Sequence, residues 1–402
     1  MLKFIVRQKY THFIIFHFQP NHTIETDYFR YKKKKRMKIV VIGTRGIPNI
    51  LGGVETHCEE LYPRIAALGH DVIIIRRTPY ITDDNRITEY RGVKLIDVYA
   101  PRKKSVEAIV HTFLAIIKAR SLHPDILHIH AIGPAILTPF ARLLGMKVVM
   151  TNHGPDYDRQ KWGKLAKWVL RTGERLGTKF ANRVIVISTV IADILATKYG
   201  RNDTDLIFNG VNTPTTATDR SYLDSFGQRA DRPYIFAMGR FVKEKGFHDL
   251  IEAYISSGLN KQYDLVLAGD SDHPDQYSEG LKQQARDAGV ILTGFIKGEP
   301  LRQCLSHARL FAMPSYHEGL PIALLEALSY GLDVVVSDIP ANQISALQPS
   351  DFFRTGSISD LADKLHQKLT NEELRRTYDL SPYNWDTIAR QTVAVYNSLI
   401  CK

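Results

Sequence analysis

The chain has 402 residues, 44% of them apolar and 24% charged, which excludes a disordered or collagen-like chain and leaves room for two or three packed domains. Three scattered cysteines, Cys58, Cys304 and Cys401, exclude a disulfide framework or a zinc motif of paired spacing, so a reducing compartment is expected. The formal net charge is +11, but residues 1–36 hold nine Lys and Arg against two acids and carry seven of those charges.

That first segment contains a short apolar run, Phe13 to Phe18, interrupted by His17. It is too short for a signal-peptide core or a membrane span. Three readings stay open for residues 1–36: an extension upstream of a true start at Met37, a basic tether to a membrane surface, or an arm for nucleic acid. From Met37 onward short apolar runs alternate with helical spacing, the pattern of an α/β protein with parallel sheets. KIVVIG (38–43) reads as a buried strand and 54–69 as a helix stopped by Gly69. Further strands are expected at 71–77, 94–100, 125–131, 147–153 and 183–188, which defines one doubly wound domain over 37–213. A polar connector without periodicity follows over 214–233. The pattern restarts with strands at 234–239, 263–269, 290–294, 309–314 and 333–338 in a second domain over 234–380, and 381–402 carries a helix at 385–400. Two Rossmann-like domains facing a cleft are the expected fold, with ligands at the carboxyl ends of the strands.

The candidate chemistry falls at such ends. GTRGIPNILGGVE (43–55) places four glycines between strand and helix, either as a structural turn or as a ligand-facing loop; Gly52 and Gly53 are its candidates for close backbone approach. GRFVKEKG (239–246) puts Arg240 and Lys245 at the entrance of a helix in the second domain, where two cations suit a diphosphate. HEGLPIALLEALSYG (317–331) carries Glu318 in a loop and Glu326 within the helix that Pro321 opens. Seven intervening residues hold the two carboxylates too far apart to act as an acid/base pair on one carbon. They suit two separate parts of an extended ligand.

GRFVKEKG followed by EGLPIALLE resembles the donor-binding half of retaining glycosyltransferases of family 4, which have the GT-B fold, over essentially 37–400. GTRGIP, GGVET, TNHG and RQKWG resemble a bacterial, rhamnosyltransferase-like subset that assembles polysaccharides. The resemblance implies that Arg240 and Lys245 bind the nucleotide diphosphate, that Glu326 binds the ribose, and that Glu318 with the backbone of Gly319 and Leu320 contacts the donor sugar. Gly294 and Phe295 match the region flanking the base, and His153 of TNHG matches a histidine facing the donor sugar across the cleft. It implies a nucleotide-diphosphate sugar as donor substrate, a glycan or lipid-linked glycan as acceptor, retention at the anomeric carbon, and no cofactor and no metal. The alternatives are a nucleotide-sugar epimerase or hydrolase, told apart by whether turnover needs an acceptor, and a non-catalytic nucleotide-sugar-binding protein.

Two metal readings compete with this one. His128 and His130 alternate along a strand and share a face, but the sequence offers them no third ligand. Asp270 and Asp272 form a D-x-D, yet in this position it is the loop after a strand. Residues 161–180 combine apolar Trp162, Leu165, Val169, Leu176 and Phe180 with a stripe of Lys161, Lys164, Trp168, Arg171 and Arg175. This helix either faces a core with its lysines solvated or lies on an anionic membrane surface. Nucleic acid is not an expected partner, because no recognition module is visible. The expected location is cytoplasmic, peripheral at the inner face of the cell membrane.

Overall fold

Short runs of β-branched residues, buried on both faces, build two parallel sheets, as expected where helices cover both sides. The first contains β1 (Lys38–Ile42), then α1 (Gly53–Ala67), β2 (Asp71–Arg77), β3 (Glu89–Tyr90), β4 (Val93–Val98), α2 (Glu107–Ser121), β5 (Ile126–His130), α3 (Thr138–Leu143), β6 (Val148–Asn152), α4 (Lys164–Phe180), β7 (Arg183–Val186), α5 (Thr189–Tyr199) and β8 (Asp205–Leu206). Its strand order is β3-β4-β2-β1-β5-β6-β7-β8, and only β3 runs antiparallel to its neighbour. After α6 (Ser221–Ser225) the second sheet follows with β9 (Tyr234–Met238), α7 (Phe247–Ser256), β10 (Asp264–Ala268), α8 (Gln276–Asp287), β11 (Ile291–Gly294), α9 (Gly298–His307), β12 (Leu310–Met313), α10 (Ile322–Ser329), β13 (Asp333–Ser337), β14 (Phe352–Phe353) and α11 (Ile358–Leu369). Its order is β11-β10-β9-β12-β13-β14, all parallel. The computed structural model describes residues 36–102, 106–158, 163–271, 274–370 and 375–400, and the readings of residues 1–35 lie outside them.

Each sheet reverses its strand order at its first strand, so β1 sits between β2 and β5 and β9 between β10 and β12. Loops leaving the carboxyl ends of neighbouring strands therefore diverge and leave a crevice there. Register pins this arrangement: Val40 pairs with Ile73 on one side and Leu127 on the other. Helices α2, α3 and α4 pack around the Pro134–Leu137 turn on one face of the first sheet. The opposite face is covered by α1 and by α12 (Trp385–Ile400), which returns from the end of the chain to pack on α1. One apolar cluster runs through both sheets, from Val40 and Ile129 to Phe236 and Leu320, so the two lobes meet in packed contact.

The helix expected over 161–180 forms as α4, but it does not dock by its apolar stripe. Leu165 is 75% exposed and Phe180 lies at the surface. The buried face consists of Gly173, Glu174, Gly177 and Thr178. A β-carbon on Gly173 would stand 2.1 Å from the Ile132 carbonyl oxygen, and one on Gly177 2.4 Å from the Met150 sulfur. Glycines thus let α4 approach the sheet closely. Trp162 and Lys161 lie outside the described residues.

Candidate active site

In the second lobe the loops after β9 and β12 are tied together. The Tyr316 amide donates to the Glu244 carbonyl at 2.8 Å, and Gly246, with φ +66°, lies against Pro314, where a β-carbon would meet the Pro314 carbonyl at 2.1 Å. This close approach carries Lys245 to Glu318, and their side chains pair at 2.5 Å, both largely buried. Arg240 leaves the end of β9 in the same loop, half-buried. Lys245 and Glu318, supplied from positions far apart in the chain, so meet at the carboxyl edge of the sheet, with Arg240 in the same loop as Lys245.

The EGLP loop then presses on the first lobe. A β-carbon on Gly319 would stand 2.2 Å from the His153 carbonyl oxygen, and Gly154 approaches the same glycine. The Leu320 carbonyl accepts from Asn209 Nδ2 at 2.7 Å, and Asn209 Oδ1 accepts from His57 Nδ1 at 2.9 Å. His153, Gly319 and Leu320 are thus brought to one place beside the Lys245–Glu318 pair.

Behind His153 lies a buried polar chain. His153 Nε2 and His130 Nδ1 are 2.9 Å apart, His130 Nε2 and the Tyr62 hydroxyl 2.5 Å, and Tyr62 and Tyr396 both reach His128 Nδ1, at 2.9 and 2.6 Å. Burial holds the imidazoles neutral: it lowers His57 to about 4, despite the opposing bond to Asn209, and His128 to about 3, with His57 adding to the effect. Burial together with the neighbouring imidazoles takes His130 and His153 well below the ordinary value. No third ligand for the His128–His130 pair is legible in the sequence. The fold supplies His57 and His153, with one ring nitrogen of each of the three within 4.8 Å of the others.

Glu326 points elsewhere. It lines a cleft of about 380 Å³ between the lobes, with Thr56 and Glu60 of α1, Gly298 and Glu299 of α9, and Tyr330. Burial, helped by Glu60 and opposed by Lys297, raises its carboxyl to about 7. Beside this cleft Lys297 crosses to Glu59 of α1 at 2.7 Å. The two glutamates of the motif therefore serve two compartments.

At the other expected positions, Gly52 has φ +149° and a β-carbon there would meet Glu55 Oε2 at 2.1 Å, so the turn itself demands glycine. Gly53 opens α1 with open space around it. Gly294 ends β11 with φ +70°, and Phe295 is exposed, two residues before Lys297. Asp270 pairs with Lys282 at 2.8 Å, while Asp272 lies outside the described residues.

The match to known families decides what this arrangement belongs to. Residues 51–214 fit the model described as Glycosyltransferase Family 4, and residues 220–381 fit that of Glycosyl transferases group 1. The chain is a glycosyltransferase of the GT-B fold. It is 24% identical over 407 residues to the glycogen synthase of Mycobacterium tuberculosis, covering 90% of this chain and 94% of that one. Its fold is similar to that of Anabaena HepE in complex with UDP-glucose, with a TM-score of 0.67, 19% identity and 91% and 96% of the two chains covered. It is also similar to WaaG, a glycosyltransferase involved in lipopolysaccharide biosynthesis, with a TM-score of 0.66, 17% identity and 90% and 97% covered. Sequence reasoning missed the glycosyltransferase's His57, Asn209, Glu60 and Lys297. The signal that could have found His57 was its place about one turn into the helix that follows the glycine-rich loop.

Proposed function

We propose that the glycosyltransferase moves a hexosyl group from a nucleotide-diphosphate sugar to a glycan acceptor, lipid-linked, in bacterial surface polysaccharide assembly, with retention and without a metal or cofactor. The observation that carries this is the Lys245–Glu318 pair, set beside Arg240 in the second lobe and closed by the His153 loop of the first. Arg240 and Lys245 would neutralise the charge that develops on the leaving diphosphate, helped by the Gly319 and Leu320 amides. Glu326 would accept from the ribose hydroxyls, Gly294 and Phe295 would border the base, and Gly52 and Gly53 would face the donor from the first lobe. His153 would contact the donor sugar.

Because Glu318 is engaged by an ammonium group, it is better placed to orient the sugar than to attack carbon. Retention then follows a front-face course. The bond from the anomeric carbon to the phosphate oxygen breaks, the acceptor oxygen bonds to that carbon on the same face, and the acceptor proton passes to the departing phosphate oxygen. The rhamnosyltransferase-like subset, the cytoplasmic location and an anionic membrane as partner belong to the same reading. The cationic outer stripe of α4 supports the last of these, and among the described residues no helix is long and apolar enough to cross a membrane.

The test measures transfer from UDP-, GDP- and dTDP-sugars after a thermal-shift panel has chosen the nucleotide. Folded Arg240→Ala should turn over about 100- to 1,000-fold more slowly than the parent, and EDTA should leave the parent rate unchanged. A parent-like rate for Arg240→Ala overturns the assignment. Donor consumption that is equally fast without acceptor identifies a hydrolase instead.

A further inference from the structure

Three helices on one face of the first sheet carry a surface that the transfer chemistry leaves unused. On α4 the exposed side chains Lys164, Trp168, Arg171, Arg175 and Lys179 recur at three- and four-residue steps, so they form one stripe. Exposed Arg142 on α3 and Lys118 on α2 extend the positive charge. Both carboxylates of these helices turn inward. Glu107 is buried against Arg77 at 2.8 Å, and Glu174 is buried where the hydroxyls of Tyr157 and Tyr199 donate to it at 3.0 and 2.8 Å. The outer surface of α2, α3 and α4 therefore shows cations and no exposed acid.

Large apolar side chains stand among these cations. Leu143 is 83% exposed, Leu165 75% and Trp168 62%, and Phe113, half-exposed on α2, stacks on Phe140 of α3. Toward the end of α4 the stripe opens into a cavity of about 630 Å³ lined by Arg175, Lys179, Lys198 and Arg201. Lys198 is held by the Tyr157 hydroxyl at 2.8 Å, and Arg201 by the Thr178 carbonyl at 3.0 Å.

We infer that this face docks on an anionic lipid bilayer, with Leu143, Leu165 and Trp168 entering the interface and the Arg175–Lys179–Lys198 cavity receiving a lipid phosphate. The interleaving of charge and hydrocarbon decides for this occupant. Protein interfaces are depleted of lysine at their centres, and exposed leucines offer nothing to a nucleic-acid backbone, whereas an interfacial helix needs both components on one side. The inference rests on the proposed function, whose membrane partner and lipid-linked acceptor it deepens by naming the docking face and the lipid phosphate site, and α4 follows the loop that carries His153.

The full chain is floated with phosphatidylglycerol–phosphatidylcholine vesicles and with pure phosphatidylcholine vesicles. Binding is expected to the first alone and to weaken with salt. Leu165→Ser with Trp168→Ser, and separately Arg175→Gln with Lys179→Gln, should each weaken it by about tenfold or more while melting temperature stays unchanged. Binding that survives both pairs, as it would if residues 1–36 supplied the attraction, overturns the proposal. So does equal binding to both vesicle types, or inorganic phosphate that protects the cavity in a chain that ignores vesicles. Thermal shift by UDP is read on the same variants. If UDP shifts the melting temperature of the parent and the variants alike while vesicles fail to bind, the docking face alone is refuted.

Discussion

Glu326 shows how a single side chain can oppose folding and serve a ligand. Its carboxyl stands at about 7 in the fold, raised from 4.5 by burial and by Glu60 across the cleft. A group raised on folding contributes stability that is fully present below its unfolded value and lost as pH rises through its folded value. Above neutrality the ionised form is therefore a burden of up to about 3 kcal/mol. Glu326→Gln should melt higher than the parent at about pH 8, and the difference should shrink toward about pH 5. Binding should move the other way: if the carboxylate accepts from ribose hydroxyls, UDP affinity of the parent rises through neutrality, and the glutamine variant binds about tenfold more weakly with a flat profile. Calorimetric titration across that range checks it, and a sloping profile in the variant would remove Glu326 from the ribose site.

At the scale of an element, α4 depends on two glycines that hydropathy cannot register. Gly173→Ala drives a β-carbon into the Ile132 carbonyl and should cost about 1–3 kcal/mol in urea unfolding. The comparison is Gly280→Ala within α8, where a β-carbon meets nothing within 4 Å and should stabilise by about 0.5–1 kcal/mol. Equal effects at the two sites would mean that α4 does not need the close approach. The same contrast explains what the sequence disclosed. Buried runs such as those of β1 and β13 announced themselves, and with them the loops that carry Arg240, Lys245 and Glu318. Two-residue strands such as β3, β8 and β14 have no period to read. A helix whose fully buried face is Gly173, Glu174, Gly177 and Thr178, with Leu165 left exposed, reverses the usual signal. His57 and Asn209 stand 152 positions apart and become neighbours only through folding.

For the whole molecule, the lobes are held shut by a few contacts of different kinds. Lys297 pairs with Glu59, whose other partner is the Asn49 amide at 3.1 Å; Asn209 reaches the Leu320 carbonyl; and Gly319 fits under the His153 carbonyl with no room for a β-carbon. Closing motions of this sort exclude water and complete a site, so weakening them should separate binding from turnover. Lys297→Ala removes one tie and leaves Glu59 with the amide alone. Its expected signature is a raised KM for the nucleotide sugar with kcat little changed. Gly319→Ala is the stronger test, because its φ lies outside the left-handed region and the new β-carbon collides with the His153 carbonyl oxygen at 2.2 Å and crowds Ile187 Cδ1 at 3.2 Å. The lobes must part to relieve it. X-ray scattering should then give a larger radius of gyration than the parent, and turnover should fall by about 100-fold, while UDP alone still binds through the second lobe. An alanine variant with the parent's radius and rate would show that the contact yields locally and that closure does not pass through this glycine.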